Sequence, residues 1–458
     1  MMLAFDDAVR AMGATVLEPM LAPQWIRAVT DTRTLAAGDT FIALHGERFN
    51  GHDFIEEALA KGAAALILDD PQASPQTKTT CIVTDTLDAY MALAQLSRNG
   101  FHGRVVAITG STGKTTTKHF TSQLLSTRYG ARVAATPGNE NNEIGVSKLL
   151  LSASNEAHDV LVVEMGARHP HDIATLTAVA RPDISVLTNV GDAHLEIMGT
   201  PERLAAAKWA IFEREAQPVT NANDAVTRSR ASTLKREAHW FLAGSSETPP
   251  LPDTRYTALF GRDRFVDMRD GFYRETGVQV GVPGDHNRAN LAAAAAASLE
   301  CDADFFSVAA ALSTIELPQG RYERIEAAGL HFIYDAYNAN AAGTIAALDA
   351  FAAEPAQRRL VLLSSMAEQG DDAAAFHRRV GAHVARSNID IAVFGGDFAN
   401  ELCAGARDAG LQSERIARFA TNAEGAAWLR AHGRAGDVVL LKGSRKYRLE
   451  EIIEALQS

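Results

Sequence analysis

The chain has 458 residues, 47% of them apolar, with 44 Lys and Arg against 56 Asp and Glu. At about 150 residues per domain, this length predicts three domains with ample material for cores. A formal charge of −12 and the lack of a polybasic block exclude nucleic acid and anionic membrane surfaces as expected partners. The three cysteines, Cys81, Cys301 and Cys403, are far apart and lack metal-ligand spacing. They predict free thiols in a reducing, cytoplasmic compartment. The N-terminus carries acids and no long apolar region, so it does not read as a signal peptide. No apolar run reaches the length of about 18 residues that a membrane span needs.

Residues 1–100 read as a first α/β segment. Strands are expected at 40–44, 64–68 and 82–84, helices at 54–61 and 87–98, and a polar loop at 71–79. The first boundary is placed at Asn99-Gly100. A second segment, 101–317, alternates strands at Arg104–Thr109, 159–164 and 184–188 with helical stretches, which predicts a parallel sheet. The Ala-rich run 291–297 reads as a buried helix. Leu317-Pro318-Gln319-Gly320 reads as a hinge. The third segment, 318–458, repeats the alternation with strands at 331–334, 359–363, 389–394 and 437–441, predicting a second, smaller doubly wound sheet.

The strongest chemical signal follows the strand at Val105–Ile108. There the chain reads Gly110-Ser111-Thr112-Gly113-Lys114-Thr115-Thr116 and enters a helical stretch at 118–126. Strand, glycine loop and helix make a phosphate cradle, because backbone N–H groups turn inward at a positive helix end. Lys114 is expected to reach the β- and γ-phosphates of ATP, and the Thr115 hydroxyl to hold Mg²⁺. The loop is a shortened variant, since Ile108 stands where the usual spacing has glycine.

Other polar residues fall where a nucleotide enzyme would use them. Glu164 ends an apolar strand and can bind Mg²⁺. His194, on a loop, is a metal or phosphate ligand or simply exposed. Lys208 closes a helical stretch, where composition does not separate a surface lysine from a functional one. Asn287 and Asn290 suit an adenine edge, although Asn287 also reads as a helix N-cap.

The phosphate loop resembles that of the Mur ligase family, and further motifs follow in family order. These are Asp31-Thr32-Arg33, Gly46 to Phe54, Gly138 to Gly145, Glu164-Met165-Gly166-Ala167, Asn189 to Glu196, Lys208, His286 to Asn290, Gly320-Arg321, Asp335 to Asn340, and Lys442-Gly443-Ser444-Arg445. Within the family, residues 31–54 and the Tyr-Asn-Ala-Asn run resemble the members that act on UDP-N-acetylmuramoyl-tripeptide and D-alanyl-D-alanine.

The resemblance implies an N-terminal UDP-sugar domain, a central P-loop ATPase-type domain and a C-terminal Rossmann-like domain that binds the incoming amine. It implies a monomer using ATP and Mg²⁺ in peptidoglycan precursor synthesis, through an acyl-phosphate intermediate. It assigns ATP contacts to residues 110–116, Asn287, Asn290, Arg321 and Asp335. Thr115, Glu164, His194 and a carbamylated Lys208 would serve the metal. Thr30, Asp31, Arg33, Asn139, Asn142, Asn338 and Asn340 would lie on the substrate sides.

The pattern departs from the family at Tyr334, Ala341, Ser364-Ser365-Met366 and His171-Asp172-Ile173. Three of these sites lie in the third segment, so a paralogue ligating another amino acid or dipeptide stays open. A nucleotide-binding protein without ligation is the reading from a different class; intact Lys114, Glu164, His194 and Lys208 argue against it.

Overall fold

The computed structural model describes residues 2–46, 49–191, 198–244, 255–261, 263–367 and 369–457. Three sheets organise three α/β domains. The N-terminal sheet has five strands in the order Thr15–Leu17, Thr79–Ile82, Ala65–Leu68, Thr40–Ile42, Ala28–Val29, parallel except for the first pair. The strand expected at 82–84 runs instead at Thr79–Ile82. Thr79 and Thr80 are fully buried there. Their polarity suggests a loop, while their β-branching suits a pleated interior.

The central sheet has nine strands. Around its middle lie Val133–Ala135, Val160–Glu164, Arg104–Thr109, Ile184–Leu187, Gln217–Asn221, His239–Gly244 and Tyr256–Phe260, all parallel. Two antiparallel strands, Arg264–Arg269 and Phe272–Gly277, complete it. Continuous apolar runs such as Val160 to Val163 are buried on both sides, as a helix-covered parallel sheet requires.

Alternation along Arg104–Thr109 divides the packing. Val105 and Ala107 face a core that includes Leu93, Ala94 and Leu150. Val106 and Ile108 face a core that includes Phe120 and Leu291 to Ala297. The Ala-rich run lies inside the helix Asp285–Glu300 and is fully buried. On the other face, the helix Thr86–Gly100 hydrogen-bonds into the central domain through Ser97 to the Leu150 carbonyl and Gln95 to the Ala178 carbonyl. The two domains therefore share one core.

The C-terminal sheet has six strands in the order Glu323–Ala327, Leu330–Tyr334, Val438–Lys442, Arg359–Leu363, Ile391–Phe394, Ile416–Arg418. Its first pair is an antiparallel hairpin and the rest are parallel. The three cysteines are buried free thiols. Among the described residues, no helix is long and apolar enough to cross a membrane.

Candidate active site

The phosphate loop leaves the C-terminal end of Arg104–Thr109, and Gly113 precedes the helix Lys114–Tyr129. Gly113 has φ +79°, and a Cβ there would lie 2.2 Å from Asn290 Oδ1. Gly110 is equally constrained, because a Cβ would strike the Thr188 hydroxyl. Strand-end residues hold the loop. Thr188 donates to the Thr112 carbonyl at 2.6 Å. Asn189 Oδ1 accepts from Thr112 N at 3.1 Å, and Gly191 N donates to Ser111 Oγ at 2.8 Å.

Two lysines converge on one acceptor. Lys114 Nζ donates to the Gly110 carbonyl at 2.9 Å, and Lys208 Nζ approaches the same oxygen at 3.3 Å. Lys208 closes the helix Pro201–Trp209 and is 1% exposed, so it is not a surface lysine. Burial first, and then the nearby Lys114 charge, bring its amine down to about 7. Burial also lowers Lys114, with Glu164 opposing and Arg321 reinforcing that direction.

Register pairs Glu164 with Ile108, which brings its carboxylate beside the loop. Glu164 Oε1 accepts from Thr115 Oγ1 at 3.1 Å and from Asn141 Nδ2 at 2.9 Å. Its Oε2 is buried without a hydrogen-bond partner and lies 3.0 Å from Lys118 Nζ. A hydroxyl beside a buried carboxylate is a hard-oxygen donor pair, which fits Mg²⁺. Thr115 and Glu164 are the residues that would hold it. His194 lies outside the described residues.

The opposite wall comes from the C-terminal domain. Gly320, at φ +72°, carries the chain into it. The Arg321 guanidinium sits 4.7 Å from the Tyr337 ring centroid, and its Nε is buried without a hydrogen-bond partner. Asp335 pairs with Lys442 at 2.8 Å, and Lys442 also donates to the Asp335 and Asn338 carbonyls. Residues 111–116, Asn287, Asn290, Arg321, Asp335, Asn338, Asn340 and Lys442 together line a cleft of about 450 Å³. Asn287 is not an N-cap. Gly284 holds that position, and Asn287 Nδ2 donates to the Pro283 carbonyl. His286, in the same cleft, is brought down to about 4, mainly by burial.

The remaining expected residues lie elsewhere. Thr30, Asp31 and Arg33 belong to the N-terminal domain, where Arg33 donates to Asp31 and draws its carboxyl down to about 2. Asn142 caps the helix Glu143–Ser152 through Gly145 N. The Asn139 carbonyl accepts from Asn141 N, on the loop from which Asn141 reaches Glu164. Asn340 caps Ala341–Ala352 while also lining the cleft.

Sequence reasoning passed over Lys118, which is 6% exposed and donates to the Thr136 and Gly138 carbonyls at 2.8 and 2.6 Å. Its spacing from Lys114, one helical turn on, was the available signal. Lys442 belongs to the Lys442-Gly443-Ser444-Arg445 motif, and its pairing with Asp335 gives it a role in the cleft.

A shortened phosphate loop, a buried lysine behind it and a second α/β domain closing the nucleotide cleft characterise an ATP-dependent ligase of one family. Three family models match: the Mur ligase middle domain over residues 108–298, the Mur ligase glutamate ligase domain over 320–445, and the Mur ligase family catalytic domain over 29–97. The chain belongs to the Mur ligase family. It is 35% identical to the UDP-N-acetylmuramoyl-tripeptide–D-alanyl-D-alanine ligase of Synechocystis, covering 93% of this chain and 91% of that one. It is 33% identical to the Escherichia coli enzyme of the same name, covering 93% of each. Among solved structures, MurF from Acinetobacter baumannii matches with a TM-score of 0.86 at 26% identity, covering 100% of this chain and 99% of that one. MurF ligase from Thermotoga maritima in complex with ADP matches with a TM-score of 0.79 at 28% identity, covering 94% and 97%.

Proposed function

We infer that this chain joins D-alanyl-D-alanine to UDP-N-acetylmuramoyl-tripeptide at the expense of ATP, in the making of peptidoglycan precursors. The observation that carries the reading is the cleft in which the phosphate loop faces Arg321 and the Asp335–Lys442 pair. A carboxylate is a poor electrophile, because its leaving group would be oxide. Attack of the peptide carboxylate on the γ-phosphate of ATP gives an acyl phosphate and ADP. The amine then attacks the acyl carbon, and inorganic phosphate leaves as the amide forms.

The chain's own groups suit these steps. Backbone N–H groups of residues 111–116 and the Lys114 ammonium would draw charge from the transferring phosphoryl group. Thr115 and Glu164 would hold Mg²⁺, which supplies charge neutralisation between the two anionic reactants. We place His194 and a carbamylated Lys208 on the metal side as well. Asn287 and Asn290 suit the adenine region, with Arg321 and Asp335 completing the nucleotide site from the other wall. Closure of the C-terminal domain would keep water from the acyl phosphate.

We assign residues 1–100 to the UDP-sugar side with Thr30, Asp31, Arg33, Asn139 and Asn142, residues 101–317 to ATP, and 318–458 to the amine with Asn338 and Asn340. A cytoplasmic monomer suits nucleotide-linked substrates and buried free thiols. The test is ATP-dependent phosphate release with UDP-N-acetylmuramoyl-tripeptide against a panel of amino acids and dipeptides. D-Alanyl-D-alanine is expected to give the highest kcat/KM. A single amino acid that outpaces it would support the paralogue instead.

A further inference from the structure

A second cluster of ligating groups lies in the N-terminal domain, apart from the ATP cleft. Thr40–Ile42 and Ala65–Leu68 are adjacent parallel strands in register, Thr40 against Ala65. Just beyond their C-terminal ends come His45 and Asp69. The C-terminal edge of a parallel sheet is where such folds place ligands. The short strands His45–Gly46 and Phe49–Asn50 pair antiparallel, His45 against Asn50. Gly51 N donates to the Leu44 carbonyl at 2.8 Å. A Cβ on Gly51 would lie 2.6 Å from Ala43 and Leu44 backbone atoms, so only glycine permits this approach. The close packing delivers His52 beside His45, with ring centroids 4.9 Å apart.

We propose that His45, His52 and Asp69 form a site for a zinc-type divalent transition metal. Their ligating atoms all lie within 4.8 Å of one another. His45 Nε2 and His52 Nε2 stand 3.1 and 3.3 Å from the same carboxylate oxygen, Asp69 Oδ1. Donors on one tetrahedral zinc, with bonds of about 2.0–2.1 Å, sit roughly 3.3 Å apart.

The hydrogen bonds around His52 give the independent argument. Asn50 Oδ1 accepts from His52 backbone N at 2.9 Å, which identifies that atom as the oxygen. His52 Nδ1, 3.1 Å from the same oxygen, must therefore donate to it. A neutral His52 then leaves its buried Nε2 as an unprotonated acceptor 3.3 Å from the anionic Asp69 Oδ1, an unfavourable close approach. That Nε2 is buried, has no hydrogen-bond partner, and belongs to a side chain only 10% exposed. A cation between the three atoms removes the conflict. The Asn50–His52 contact is the arrangement that orients metal-binding imidazoles. Two imidazoles and one carboxylate favour zinc over magnesium, which prefers oxygen donors. His45 is half exposed, leaving one coordination position open to water.

The test uses the full chain, stripped with chelator and held in excess Mg²⁺, without nucleotide or peptide, so its outcome is independent of the ligase reading. Zn²⁺ is titrated calorimetrically, and Co²⁺ is followed by its visible absorption. One Zn²⁺ per chain is expected to bind in the micromolar range. His45→Ala, His52→Ala and Asp69→Asn should each weaken binding at least about tenfold, and Asn50→Ala by about 10- to 100-fold through lost orientation. Zn²⁺ should raise the Tm of the wild type but not of His45→Ala, a half-exposed change compatible with folding. Absence of saturable Zn²⁺ binding would overturn the proposal. So would unchanged stoichiometry and affinity in His45→Ala.

Discussion

Lys114 donates to the Gly110 carbonyl within the phosphate loop, which holds its ammonium where a nucleotide phosphate would lie. Lys114→Ala should lower kcat at saturating ATP by about 10²–10³ while the fold persists, since one transition-state contact is lost. Turnover close to wild type, with an unchanged melting curve, would remove Lys114 from phosphoryl transfer. Lys208 behaves differently. Carbamate formation needs the neutral amine, which is on the order of one in a few thousand molecules for an ordinary lysine at pH 7. With the amine brought to about 7, roughly half are neutral there. Lys208→Ala should regain part of its activity with acetate or formate, whereas Lys208→Arg should stay inactive. Full activity in the arginine variant would show an ordinary cation. His286 carries a stability signature. Its folded value of about 4 lies below the ordinary value of 6.5, so the unfolded chain binds more protons between these values. Stability should therefore rise with pH from about 4 to 6.5, and the contribution, about 3.4 kcal/mol for a shift of this size, is lost as pH falls through that window. Denaturant melts of His286→Gln should show a flatter profile over the same range; an identical profile would refute the assignment.

At the scale of elements, the junction of Arg104–Thr109 with the helix Lys114–Tyr129 depends on Gly113. The helix Asp285–Glu300 lies close enough to place Asn290 against it. Small side chains along Leu291 to Ala297 allow that approach, because tightly packed interiors leave no room for larger ones. Gly113→Ala combines a left-handed backbone with a contact against Asn290 Oδ1. It should destabilise the fold by about 1–2 kcal/mol from the backbone alone. It should also raise KM for ATP, read by denaturant unfolding and nucleotide titration. An alanine variant with wild-type stability and KM would mean that the loop adapts without cost.

At the scale of the whole molecule, one contact ties the central domain to the segment that enters the C-terminal domain. Gln123, on the phosphate-loop helix, clasps the segment entering the hinge. Its Nε2 donates to the Glu316 carbonyl at 2.8 Å, and its Oε1 accepts from Glu316 N at 3.0 Å. Gln123→Ala should free this segment from the nucleotide domain. We expect a lower ligation rate with little change in nucleotide affinity, and faster hydrogen exchange at residues 316–321. An unchanged rate and exchange pattern would show that the clasp does not govern closure.

The sequence by itself determined the phosphate loop, its strand and helix, the strands at 104–109 and 359–363, and the order of motifs that marks the family. Those signals are local: a run of apolar β-branched residues, a glycine turn and a helix start lie within about 25 residues. Expected strand ends elsewhere moved by a residue or more. The 71–79 loop gave up its last residue to a strand because Thr79 is buried, a fact set by neighbouring strands rather than by its own polarity. Only the tertiary structure decided that Lys208 is interior, since its helix reads as a surface helix until Gly110 is placed above it. The same holds for the Asp335–Lys442 pair, more than 100 residues apart in the chain, and for the convergence of His45 and His52 on Asp69. Such contacts arise from sheet register and domain packing, which bring together residues that no local pattern connects.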